Sequence, residues 1–157
     1  MSEKIKKLDD YAKLEKDYAA SLSSSVMGVG NVVVKGLLTS IALDSQKHSG
    51  LYASISNVLK AEAQVLAEKD YVALEAVIKK HIETERKMLH DSKEMLKVEK
   101  DSRVKSILTE IYLDEIKHNA FMKNLLELVV KRETLFEKDE WDMLWKDVPG
   151  HGAPPPM

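Results

Sequence analysis

Cysteine is absent from this chain of 157 residues. Disulfides, thiolate nucleophiles, cysteine-ligated zinc and iron–sulfur clusters are therefore excluded within it. Proline is nearly absent, because all four prolines lie at 149, 154, 155 and 156. Everything before them is free of that helix breaker. Glycine is scarce as well, confined to 28, 30, 36, 50, 150 and 152. Neither sign of charge dominates, with 24 Lys and Arg against 26 Asp and Glu. The basic excess that captures nucleic acid or anionic lipid is missing, so no nucleic-acid partner is expected. No apolar run approaches the ~20 residues that span a bilayer. The opening MSEKIKKLDD has no apolar stretch of the secretory type. A cytoplasmic protein without a membrane span is the expectation.

What remains is rich in Lys, Glu, Leu and Ala, which favour helix. At 44% hydrophobic and 32% charged, the composition is that of a folded domain rather than a disordered chain. Apolar residues recur at steps of three and four, and the pattern predicts an all-α fold. A first helix is expected over about 2–27, with Leu8, Ala12, Glu15, Ala19, Leu22 and Val26 on its inner stripe. Gly28 to Asn31 reads as a turn, with Asn31 as the N-cap of the next helix. That second helix aligns Leu38, Ile41, Ser45, His48, Tyr52 and Ile55. A third, about 71–99, aligns Leu74, Ile78, Glu85, Leu89, Ser92 and Leu96. Asp101-Ser102 marks a break. A fourth, about 103–131, aligns Val104, Ile107, Ile111, Glu115, His118, Met122, Leu125 and Val129. The stretch 57–70 is helix-prone and is either a crossover or partly helical. Such seams suit four helices packed at shallow angles, a bundle over 1–131. The remainder, 132–157, reads as a short amphipathic helix followed by a proline-rich tail. Thr134 to Glu137 reads as its capping box, and Trp141, Leu144, Trp145 and Val148 lie on its apolar face. Docking on the bundle or on a dimer partner is expected of it.

The chain also says one thing twice. Residues 38–48 read LTSIALDSQKH and residues 108–118 read LTEIYLDEIKH, seventy positions apart. Glu15 and Glu85 repeat at the same offset. Each copy therefore carries a glutamate thirty-three residues before a histidine. Glu15, His48, Glu85, Glu115 and His118 all fall on seam positions otherwise given to apolar side chains. A buried carboxylate needs a partner, a proton or a metal. Glu115 and His118, at i and i+3, share one helical face and can reach one ion. Carboxylate oxygen with imidazole nitrogen suits iron, manganese or zinc. Hydrogen-bonded core histidines are the alternative reading. Asp44, Lys47, Asp114 and Lys117 read as a solvated flank. Glu83, Glu110, His81 and His90 lie off the seam and read as surface residues. Met88, Met95 and Met122 read as core fillers.

The arrangement Glu15 … Ser45-x-x-His48 … Glu85 … Glu115-x-x-His118 resembles the ferritin-like superfamily, near its rubrerythrin and erythrin branch. IALDSQKH and HIETERKM are especially similar to small, mostly archaeal, ferritin-like proteins. The resemblance covers roughly residues 5–130. It implies a four-helix bundle holding a pair of metal ions, usually iron, with manganese or zinc as substitutes. Glu15 and His48 would serve one ion, Glu85 and His118 the other, and Glu115 would bridge them. The second bridge would come from position 45, where Ser45 supplies no carboxylate. Two dications bring +4 against −3 from Glu15, Glu85 and Glu115. The implied activity is that of an oxidoreductase of the ferroxidase or peroxidase type. With no cysteine-rich electron-transfer module, a peroxidase cycle would need a separate electron donor. A homodimer is the expected assembly. The alternative is a degenerate bundle kept as a non-catalytic dimeric scaffold or binding protein.

Overall fold

A computed structural model describes residues 2–60, 67–131 and 142–151. It contains four long helices: α1 (Glu3–Val26), α2 (Val32–Leu59), α3 (Glu68–Val98) and α4 (Ser102–Lys131). No β-strand occurs among the described residues. The chain divides into two compact units, 1–64 and 65–157. Each is built on one antiparallel helical hairpin, α1 with α2 and α3 with α4. The seventy-residue repeat is thus a repeat of hairpins.

Caps explain where the helices begin. The Ser2 hydroxyl accepts the Ile5 N–H at 3.3 Å and starts α1. Asn31 Oδ1 accepts the N–H groups of Val33 and Val34 at 3.0 and 3.1 Å, satisfying two donors that helix geometry would leave orphaned. Asn31→Ala is expected to lower stability by about 1 kcal/mol, measurable as a shifted urea midpoint. Ahead of α3, the Asp70 carboxylate reaches back to the Ala67 N–H at 3.2 Å. Asp101 caps α4 by accepting the Arg103 N–H at 2.9 Å. The Arg103 guanidinium beside it holds its carboxyl down at about 2.

In α1 the expected stripe is the buried one: Ala19 and Val26 are buried, and Leu8, Ala12, Glu15 and Leu22 are half-buried. Most of the α3 stripe matches, with Ile78, Glu85 and Ser92 buried and Leu89 and Leu96 half-buried, but at its start Leu74 is exposed and Tyr71 is buried instead. In α2 and α4 the packing face lies one residue round from the expected seam. Leu38, Ala42, Ser45, Ser49, Tyr52 and Ser56 are the covered residues of α2, while Ile41 and Ile55 stay exposed. The equivalent row of α4 is Leu108, Tyr112, Glu115, Asn119, Met122, Leu126 and Val129. Both rows obey the helical period. The covered row of α2 includes three serines, and hydrogen bonds to α1 satisfy two of them. Ser49 Oγ donates to the Ala12 carbonyl at 2.7 Å. Ser56 Oγ, with 1% exposure, donates to Asp9 Oδ1 at 2.5 Å. Lys60 Nζ adds contacts to both Asp9 oxygens at 3.3 and 3.2 Å. These pull Asp9 below the usual carboxylate range, the Ser56 hydrogen bond most of all.

The α3–α4 hairpin is more apolar where its free ends meet. Tyr71, Ile78 and Val129 form its core, with Ile82, Met122, Leu125 and Leu126 packed against them. Met122 fills the expected role, whereas Met88 and Met95 are exposed. Residues 142–151 pack on the outer part of α4. Asn124 Nδ2 donates to the Leu144 and Lys146 carbonyls at 3.0 and 2.6 Å. Trp145 lies between Phe121 and His151, with ring centroids 5.2 and 4.0 Å away. His151, at the start of the tail, stacks on the Trp145 indole. Asp147, at φ 59°, and Gly150, at φ 91°, turn the chain there. The expected capping box from Thr134, together with Leu135, Phe136 and Trp141, lies outside the described residues.

Candidate metal centre

Glu85 stands at the middle of the α3 stripe, where the helix period turns it toward α4. Its side chain is only 8% exposed. Across from it, α4 presents Glu115 and His118 on adjacent turns. One ligand atom from each of Glu85, Glu115 and His118 can be chosen so that all lie within 4.8 Å of one another. His118 Nδ1 is 3.9 Å from Glu85 Oε1. Glu115 is half-buried and His118 exposed. Phe121 and Met122 line the same depression with His81, Glu85 and His118.

Two buried oxygens in this cluster have no hydrogen-bond partner among the described residues, Glu85 Oε2 and Glu115 Oε2. That is an expensive condition for an ionised carboxylate. Burial pushes the Glu85 carboxyl up, and the neighbouring Glu115 charge adds to the rise, while His118 and His81 oppose it. Two converging carboxylates with unshared oxygens and an imidazole are the donor set a divalent cation would satisfy. Asn119 Nδ2 is also buried without a partner, and nothing in the structure explains it.

The N-terminal hairpin repeats the geometry with weaker chemistry. Glu15 Oε1 lies 3.5 Å from His48 Nδ1. Both are more open to water than Glu85, at 27% and 48% exposure of their side chains. Ser45 occupies the covered position equivalent to Glu115, so only one carboxylate meets the imidazole. Tyr52, whose ring meets that of Tyr11 at a tilt with centroids 5.5 Å apart, lines a depression with His48. Tyr18 is exposed.

Asp44 with Lys47, and Asp114 with Lys117, form i,i+3 ion pairs on solvated flanks. Glu83, Glu110 and His90 are exposed. His81 is exposed too, yet its Nε2 lies 3.6 Å from Glu85 Oε1. His81 lies off the apolar seam, as a surface residue would. The signal that could have found it is its spacing, one helical turn ahead of Glu85.

The chain matches no family model, no curated protein and no solved structure.

Proposed function

We propose that the protein binds a divalent metal ion on the α3–α4 hairpin, through Glu85, Glu115 and His118, and that its function is redox chemistry at that ion. The observation that carries the reading is the convergence of these three donors within 4.8 Å, together with two buried carboxylate oxygens that no protein group satisfies. A cation supplies what both oxygens lack. The resemblance to ferritin-like sequences favours iron, with manganese or zinc as alternatives, and a ferroxidase or peroxidase type of activity. Bound iron would supply electrons to dioxygen or peroxide.

The residues of the chain have separable tasks. Glu85 and Glu115 neutralise the dication, and burial of Glu85 keeps its carboxylate from being screened by water. His118 adds a nitrogen donor from the adjacent turn of the helix that carries Glu115. Phe121 and Met122 give the site an apolar border. For a peroxidase cycle the electrons would come from a separate donor protein. The exposed rows containing Ile41 and Ile55, and Ile107 and Ile111, support a further step. In this reading they are covered in a ferritin-like four-helix bundle and in a homodimer.

A scaffold reading draws on the N-terminal hairpin, where Ser45 and the more solvated Glu15–His48 pair leave the repeat incomplete. Metal addition distinguishes the two. With Fe(II), Mn(II) or Zn(II) at a free concentration one hundred times Kd, the full chain is expected to gain about 2.7 kcal/mol of stability, read as a raised thermal midpoint. Aerobic Fe(II) oxidation by the loaded protein should exceed that of buffer. A chain whose midpoint ignores all three metals is a scaffold.

A further inference from the structure

We infer that His81 is a fourth protein ligand, and that the α3–α4 hairpin by itself holds one borderline divalent cation between two carboxylates and two imidazoles. The inference rests on the metal site proposed above and deepens it.

Glu85 Oε1 has two imidazole nitrogens near it, His81 Nε2 at 3.6 Å and His118 Nδ1 at 3.9 Å. Both separations are too long for a hydrogen bond. They are close to the spacing of donors that share one ion, since metal–nitrogen and metal–oxygen bonds of about 2.0–2.2 Å put neighbouring ligands roughly 3 to 3.5 Å apart. The unpartnered Oε2 atoms of Glu85 and Glu115 show that the carboxylates are not consumed by protein contacts. His81 and His118 also line one depression with Glu85. They come from different helices; His81 stands outside the group whose ligand atoms all lie within 4.8 Å of one another, and its exposed side chain completes the shell by rotating toward that group.

Charge fixes the number of ions. Glu85 and Glu115 together carry −2, which balances a single dication. A second would leave the hairpin with an excess of +2 in a partly desolvated place. Donor type fixes the class. Two nitrogens and two oxygens suit Fe(II), Co(II), Ni(II), Cu(II) or Zn(II), whereas Mg(II) and Ca(II) prefer all-oxygen shells. The position of His81, one turn ahead of Glu85, is what separates this arrangement from the motif read in the sequence.

The test is a titration of the full chain with Co(II), followed by its visible absorption and by calorimetry. The wild type is expected to saturate at one equivalent. His81→Gln is expected to weaken Co(II) binding by about tenfold or more and to shift the absorption bands, because a nitrogen donor has been lost. His90→Gln, on the same helix, should change neither. If His81 only props Glu85, its substitution alters thermal stability but leaves the spectrum of the Co(II) complex as it was. An unchanged affinity and spectrum in His81→Gln overturns the role of His81 and leaves the three-residue site standing. A wild type that takes up no Co(II) removes that site altogether.

Discussion

Glu85→Gln should make the metal-free protein more stable at neutral pH while lowering its metal affinity by about a hundredfold or more, beyond the usual cost of losing a residue that merely supports a ligand. The two effects have one origin. Burial, with help from Glu115, pushes the Glu85 carboxyl up from its ordinary range. The folded state therefore holds this proton more tightly than the unfolded chain does. Its contribution to stability is complete below the unfolded carboxyl value, about 4.3. It is lost as pH rises through the higher folded value. Above that, an ionised carboxylate sits with one oxygen unsatisfied. Glutamine keeps the shape and removes the charge. The stability difference between variant and wild type should thus be small in acid and grow, in favour of Glu85→Gln, as pH rises. Metal reverses the preference, because a ligating carboxylate must be deprotonated. Wild-type affinity should fall as pH drops, with proton release on binding. Thermal melts of both proteins across the acidic range, with and without Zn(II), check each arm. A Glu85→Gln variant that still responds to Zn(II) like the wild type would sink the assignment.

Ser45→Glu should give the N-terminal hairpin a metal site of its own, raising the Co(II) stoichiometry from one to two per chain. Ser45 is half-buried on the α1-facing row of α2, three residues before His48. A glutamate there reproduces the Glu115-x-x-His118 spacing opposite Glu15, which already stands 3.5 Å from His48. Without metal the added charge faces Glu15 and should lower stability, as like charges at close range do. With metal that loss should be recovered. Binding that stays at one equivalent would show that the two hairpins differ by more than this one side chain.

Helix limits were easy to read because their causes are local. Asn31, Asp101 and the proline-free stretches mark starts and continuations that need no tertiary information. The stripes of α1 and α3 followed from apolar spacing. Those of α2 and α4 were displaced by one residue because serine, alanine and asparagine carry the contact. Hydrophobicity cannot flag a serine whose hydroxyl will be satisfied by Asp9 or by the Ala12 carbonyl. Glu85 and His118 were legible through the repeat, which gives a polar residue in a seam a second witness, and Glu115 through its place one turn before His118, since its counterpart is Ser45. His81 has no histidine counterpart, since Tyr11 stands at its place in the first half, and periodicity put it outside. Its spacing one turn ahead of Glu85 is the single sequence cue, and the 3.6 Å separation from Glu85 Oε1 gives that cue its meaning.

The hydroxyl contacts between α1 and α2 have a mechanical meaning. Ser49 and Ser56 are two helical turns apart, so their bonds to Ala12 and Asp9 act as pins spaced about 10.5 Å along the axis. Directional contacts, unlike greasy ones, do not tolerate sliding. A slip of one turn would strand Ser56, Asp9 and Lys60 together. The first hairpin is therefore indexed like a ratchet, and its Glu15 and His48 arrive opposite each other whether or not anything binds between them.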